Sequence, residues 1–287
     1  MRQSVRIFVT LFSGLALVAC NQNGPSDADI EEALKDVNVI DDSNLNDVML
    51  TVADPNEAVA YFQRTLAANP DRIDLARGLA ISLVRAGKPT GAASAWQKVL
   101  EMPGATDEDR VEYADALIRS NQWDRAEEEL DKVPPTHETF KRYRLEAMIA
   151  DANKEWKKAD SFYEIAVGLT TRPSGTLNNW GYSHLTRGNY AEAERLFAEA
   201  LTYDASLFTA KNNLVLARAA QRRYEMPVVQ MTQVERAQLL HTAALSAIKQ
   251  GDIATGKSLL REAIDTHPQY FEAAVRALEA LENNVNN

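Results

Sequence analysis

Ser174 to Leu207 reads SGTLNNWGYSHLTRGNYAEAERLFAEALTYDASL, and the fold follows from this stretch. Gly188 divides it at a point where a glycine takes positive φ without steric cost. Small residues stand where two helices would cross: Gly181 before the turn, Ala193 and Ala200 after it. Leu177, Trp180, Tyr190 and Phe197 are the larger residues that would fill the space between them.

The same frame continues in both directions. From Ile73 it gives Leu79, Ala80, Gly87, Ala92, Trp96 and Val99; from Asp107, Tyr113, Ala114, Asn121, Trp123, Ala126 and Leu130. From Phe140 it gives Tyr143, Ala147, Trp156, Ala159 and Tyr163; from Phe208, Leu214, Ala217 and Tyr224; from Ala237, Leu240, Ala244, Gly251, Leu260 and Ala263. Upstream, Ala58, Phe62, Leu66 and Pro70 read as the second half of one more unit, whose first helix would be the poorly patterned Leu45–Val52. The pattern resembles the tetratricopeptide repeat, a unit of about 34 residues in two antiparallel helices. The resemblance implies an all-α fold: a right-handed superhelical solenoid of about six to seven helix pairs over residues 45–282. Phe271, Ala274, Val275, Leu278 and Leu281 share one face of a final helix that would cap the array, followed by a frayed tail at 283–287.

Two places break the pattern. Pro134-Pro135 should shorten the second helix of the unit from Asp107. Met226-Pro227 falls inside the second helix expected after Phe208, which should therefore be late, short or bent. Kinks in the superhelix are expected near both.

The first nineteen residues read as an address. Arg2 and Arg6 precede an apolar stretch, Ile7 to Val18, too short to span a bilayer, which needs about 20 residues. It fits a signal-peptide core. It ends in Leu17-Val18-Ala19-Cys20, which resembles the lipobox of bacterial lipoproteins. That resemblance implies lipidation of Cys20, the sole cysteine of the chain, and membrane attachment through the lipid. In the Gram-negative lipoproteins it resembles, Asp after the cysteine usually means inner-membrane retention, so by that resemblance Asn21 implies the outer membrane, with the protein on its periplasmic face. Residues 20–44 are polar and acidic and read as a flexible tether.

Composition excludes several classes. The 287-residue chain carries a formal charge of −10, against a nucleic-acid partner, which needs a cationic surface. A single cysteine rules out an intramolecular disulfide framework. His137, His184, His241 and His267 share no metal-ligand spacing. Glu127-Glu128-Glu129 reads as a solvated helix face. No phosphate-cradling glycine loop, GxSxG or HExxH occurs. The sequence predicts neither catalysis nor a cofactor or metal.

What the repeats leave chemically free is the concave face lined by their first helices. The inner positions of the family map onto Arg77, Ile81, Val84, Ile118, Arg144, Met148, Asn178, Tyr182, Leu185, Asn212 and Leu216. Most are apolar, and a contiguous apolar face marks an interaction site. They line either a groove for a partner peptide or helix, or the filled lumen of a tight superhelix. Asn178, Asn179, Asn212 and Asn213 offer amides to a peptide backbone or to neighbouring loops. Asp74, Asp115 and Asp151 share the face and would offset its arginines. Trp96, Trp123, Trp156 and Trp180 read as core. The basic clamp of the chaperone-tail receptors in this family is missing: its positions hold Ile81, Asp115, Met148 and Tyr182.

The order of lipobox, acidic tether and the segment DPNEAVAYFQRTLAANPDRIDLARGLAISLVRAGKPTGAASAW (Asp54 to Trp96) resembles the tetratricopeptide lipoproteins of the tight-adherence (Flp) pilus machinery. That resemblance implies an adaptor or assembly factor whose partners are pilus or secretion components. The alternative is a lipoprotein of outer-membrane-protein assembly, or an adaptor for cell-wall hydrolases.

Overall fold

In the computed structural model, which describes residues 45–283, every regular element among those residues is an α-helix. The signal segment, Cys20 and the tether lie outside the described residues. The chain divides into two units, Met1–Ala53 and Asp54–Asn287. In the first, the described residues form one short helix, α1, at 45–51.

The second unit carries the repeats. It opens with α2 (Pro55–Ala68) and continues as hairpins: α3 (Ile73–Arg85) with α4 (Pro89–Leu100), α5 (Asp107–Arg119) with α6 (Trp123–Leu130), α7 (Phe140–Ala152) with α8 (Trp156–Gly168), α9 (Ser174–Thr186) with α10 (Tyr190–Tyr203). Then α11 (Phe208–Ala220) stands alone. The hairpin α12 (Gln233–Lys249) and α13 (Ile253–Thr266) follows, and α14 (Glu272–Asn283) packs on α13. The order and spacing are those of a tetratricopeptide-repeat solenoid.

The turns show why the frame repeats. Gly87, Asn121, Lys154, Gly188 and Arg222 all take left-handed φ, at intervals of 33 or 34 residues. Gly251 takes it next, only 29 residues on. One left-handed residue stops the first helix and turns the chain back. Asn, Lys and Arg accept that conformation at a steric cost glycine avoids.

At three helix–helix contacts a large side chain meets a glycine. The Phe62 ring of α2 lies on Gly78 of α3. Phe197, fully buried on α10, lies on Gly181 of α9, where a β-carbon would come within 2.7 Å of its ring. Ile248 meets Gly256 in the same way between α12 and α13. Between repeats a polar ladder links successive first helices. Arg77 pairs with Asp109 at 2.7 Å, Lys141 with Glu112 at 2.5 Å, and Ser183 donates to Asp151 at 2.5 Å. Asn213 then donates to Asn178 at 3.1 Å, and Thr242 to Asn212 at 2.8 Å.

The two proline sites behave differently. At Pro134-Pro135 the second helix is shortened as expected: α6 has only 8 residues. After α11 the expected second helix is absent. Residues 221–232 run as an irregular segment: Arg222 makes the usual left-handed turn, but Pro227, with no N–H to give, stands where the second helix would run. Met226 and Met231 pack against the buried Val215, Leu239 and Ala243 in its stead. Among the described residues no helix is long and apolar enough to cross a membrane.

Candidate protein-binding groove

The first helices α5, α7, α9 and α11 touch in succession, so residues on their shared side form one continuous face. Over α7, α9 and α11 that face sinks into an open pocket of about 550 Å³. Met148 lines it from α7, Asn178 and Tyr182 from α9, and Asn212 from α11. The structure thus brings together four of the residues the repeat frame placed on the inner face. Tyr182 is 53% exposed.

The other inner-face residues do not reach this pocket. Arg77 is held by both carboxylate oxygens of Asp109, each at 2.7 Å, and by the Gly104 carbonyl. Burial pushes the Asp109 carboxyl upward, but the bonds from Arg77 and Thr106 outweigh it and hold the group low. That guanidinium is committed to joining two repeats. Ile81 and Val84 are half-buried against the core of the first three hairpins, and Ile118 is a buried member of it. Arg144 lies with its guanidinium 5.7 Å from the Phe140 ring centroid. Leu185, expected in the groove, is instead half-buried against the core formed by Leu177, Phe197 and Leu214. Leu216 is half-buried outside the pocket. For the apolar ones the reason is shared: each first helix packs on both sides against neighbouring helices. Only a narrow stripe is left to the concave side.

Two tryptophans read as core sit elsewhere. Trp96 is buried, but Trp123 and Trp156 are half-buried and line the pocket. Each begins the second helix of its hairpin, two residues after a left-handed turn at Asn121 or Lys154. That shared register was the available signal. Phe208 and Thr209 close the far wall from the start of α11.

Asp151 lies at the pocket's edge near the end of α7 and accepts from Ser183 Oγ at 2.5 Å and the Tyr163 hydroxyl at 3.0 Å. Burial pushes its carboxyl above the ordinary value, outweighing those two bonds. Burial and the adjoining Asp151 charge together raise the Tyr163 hydroxyl. Close by, Asp160 behaves oppositely. Burial works to raise it, yet Arg187 at 2.6 Å and Trp180 Nε1 at 2.8 Å hold it low. His184 is buried beside Trp180, and its pKa is pushed down by burial and then by Arg187, consistent with a packing position.

The amides are only partly used. Asn178 accepts from Asn213, and Asn212 accepts from Thr242. Both bonds go to the side-chain oxygen. The two Nδ2 groups have no partner among the described residues and remain as donors on the pocket lining.

The tetratricopeptide repeat family model matches residues 50–110 and 178–225. No curated protein matches the chain. Among solved structures it is similar to a chain of the APC/C hetero-tetramer Cut9-Hcn1, with 14% identity and a TM-score of 0.58 over 79% of this chain and 46% of that one. The human IFIT1 dimer with PPP-AAAA gives 13% identity and a TM-score of 0.54, over 79% of this chain and 59% of that one. The C-terminal part of a TPR repeat-containing protein from Cytophaga hutchinsonii gives 13% and 0.52, over 80% and 97%. This chain spans less than half the length of the first of these. Identities so low speak to the fold alone, and together with the repeat match they establish it: a tetratricopeptide-repeat solenoid.

Proposed function

We propose that this chain is an adaptor that captures a segment of a partner protein in the pocket over α7, α9 and α11. We further propose that lipid on Cys20 tethers it to the periplasmic face of the outer membrane, where it serves assembly of a tight-adherence pilus and its secretion apparatus. The observation that carries the binding role is the open pocket of about 550 Å³. Its size falls within the range of ligand sites, aromatic side chains line it, and the amide donors of Asn178 and Asn212 are unspent. Repeat arrays use such concave faces for binding. The anchoring and pilus roles rest on the lipobox-like Leu17-Val18-Ala19-Cys20 and on the resemblance of the segment from Asp54 to Trp96.

The test is affinity capture from native envelopes with the lipidated protein and a Tyr182→Ala, Asn212→Ala double variant. Tyr182 is about half exposed and Asn212 gives up one bond, from Thr242, so the double variant should stay folded, which thermal unfolding checks. Secretin, pilin or pilus-platform proteins recovered by the wild type and lost with the variant are the expected result. Recovery of β-barrel assembly proteins or cell-wall hydrolases instead would overturn the pilus role. Equal recovery by wild type and variant would overturn the groove.

A further inference from the structure

Asp151 differs from the other acids packed between the first helices and their neighbours. Asp109 is paired with Arg77, Asp115 with Arg119 and Lys141, and Asp160 with Arg187. Asp151 forms no ion pair among the described residues. Its neighbours are two hydroxyls, Ser183 and Tyr163. Arg187, whose charge acts on it, is already bound bidentately by Asp160 and lies over the Trp156 ring, 5.3 Å from its centroid. A half-buried carboxylate with only neutral donors is under-compensated, and a cation would complete it.

The surroundings suit a cation. Among the described residues Asp151 is the only charged one lining the pocket, and Trp123, Trp156 and Tyr182 line the same pocket. Aromatic faces attract ammonium and guanidinium groups. The unspent Asn178 and Asn212 amides meet carbonyls of an extended backbone. The overall charge of −10 draws basic segments toward the surface before they dock.

We infer that the pocket selects an extended segment of a partner protein that places a lysine or arginine side chain against Asp151, between Trp156 and Tyr182. This rests on the groove reading above and adds the chemistry of the occupant. The charge also disfavours the chain's own residues 20–44, which hold seven acids and one base, Lys35. Such a segment would bring like charge to Asp151.

The experiment selects random short displayed peptides on the full-length protein, then measures binding of an enriched peptide by fluorescence anisotropy. Wild type, Asp151→Asn and Tyr182→Ala are compared. Asparagine keeps the size of the side chain and still bonds Ser183 and Tyr163, so thermal unfolding should stay near wild type for both variants. The expected result is enrichment of lysine or arginine at one register. Asp151→Asn should weaken the enriched peptide about ten-fold, and replacing its basic residue by glutamine should remove that difference. Peptides that bind through Tyr182 but show no basic preference and no loss with Asp151→Asn would overturn this inference and leave the groove standing. Binding untouched by either variant would overturn the groove itself. A synthetic peptide of residues 20–44 competing as well as the enriched peptide would show the chain's own tether to be the occupant and would also overturn the inference.

Discussion

Replacing Phe197 by alanine should lower stability by about 3–5 kcal/mol. The ring is fully buried on α10 and sits on Gly181 of α9, within the core that holds Leu177 and Leu214. Close-packed interiors relax only partly after such a truncation, so a cavity is expected. The reverse change tests the same interlock. Gly181→Ala puts a β-carbon 2.7 Å from the ring, and overpacking of this kind costs about 1–3 kcal/mol. The two effects should not add. Gly181→Ala combined with Phe197→Leu should lose less than the sum of the single changes, since the smaller side chain yields the space the new methyl needs. Urea unfolding of the four proteins measures this. Simple additivity would mean that helix packing in this hairpin does not depend on the contact.

Removing Glu235 should have a comparable effect beside the irregular segment that follows α11. Lys211 on α11 is 3% exposed, yet it is a lysine, and its Nζ is 2.9 Å from Glu235 Oε1. Glu235 also completes the capping box that starts α12, accepting from the Thr232 N–H at 2.7 Å. Where the second helix of the α11 repeat is missing, this pair ties α11 to α12. Glu235→Ala leaves the ammonium buried without a partner and removes the cap. The expected loss is about 3 kcal/mol, toward the low end for a buried pair because Glu235 keeps some exposure, plus about 1 kcal/mol for the cap. Lys211→Met added to Glu235→Ala should recover most of the first part, since no charge is then left buried. A double variant no better than Glu235→Ala would contradict this. The pair also sets a pH response. The Thr232 N–H and then Lys211 hold the Glu235 carboxyl below its ordinary 4.5. A depressed folded value means the contribution is complete above pH 4.5 and fades as pH falls through the lower folded value. Glu235→Ala should flatten that part of the acid unfolding curve.

These two sites mark what was and was not legible in the sequence. The α9–α10 hairpin could be read directly, because Gly181, Gly188, Ala193 and Phe197 stand at positions where size alone decides whether two helices meet. Carrying that frame along the chain placed Asn121, but the left-handed turns at Lys154 and Arg222 came only with the structure, since neither residue type announces one. Met226-Pro227 signalled trouble after α11, but not its form. Nothing in a periodicity shows that methionines from a loop will replace a helix, or that Lys211 will be buried. Charged residues default to the surface unless a partner is known.

The pocket was legible to the extent that helix register decides facing. Met148, Asn178, Tyr182 and Asn212 fall together because they lie on one stripe of successive first helices. Ile118 and Leu185 share the same nominal face, yet they turn into the core. How far a first helix is rotated between its partner and the next repeat depends on packing, which spacing does not encode. Trp123 and Trp156 were hidden for a different reason. They occupy packing positions at the start of second helices, and they border the pocket only because the neighbouring first helices leave their edges uncovered. The isolation of Asp151 depends on where Arg187 goes, and Arg187 is 36 residues away in the chain.

The central claim is that partner capture happens on the face of α7, α9 and α11. Site-specific photocrosslinking tests it most directly, with a benzophenone side chain placed at Tyr182 or at Tyr203. Both tyrosines are about half exposed, at 53% and 54%, but only Tyr182 lines the pocket. The account predicts a covalent adduct to the captured protein from position 182 and none from position 203. Adducts from 203 alone, or equal adducts from both, would contradict it.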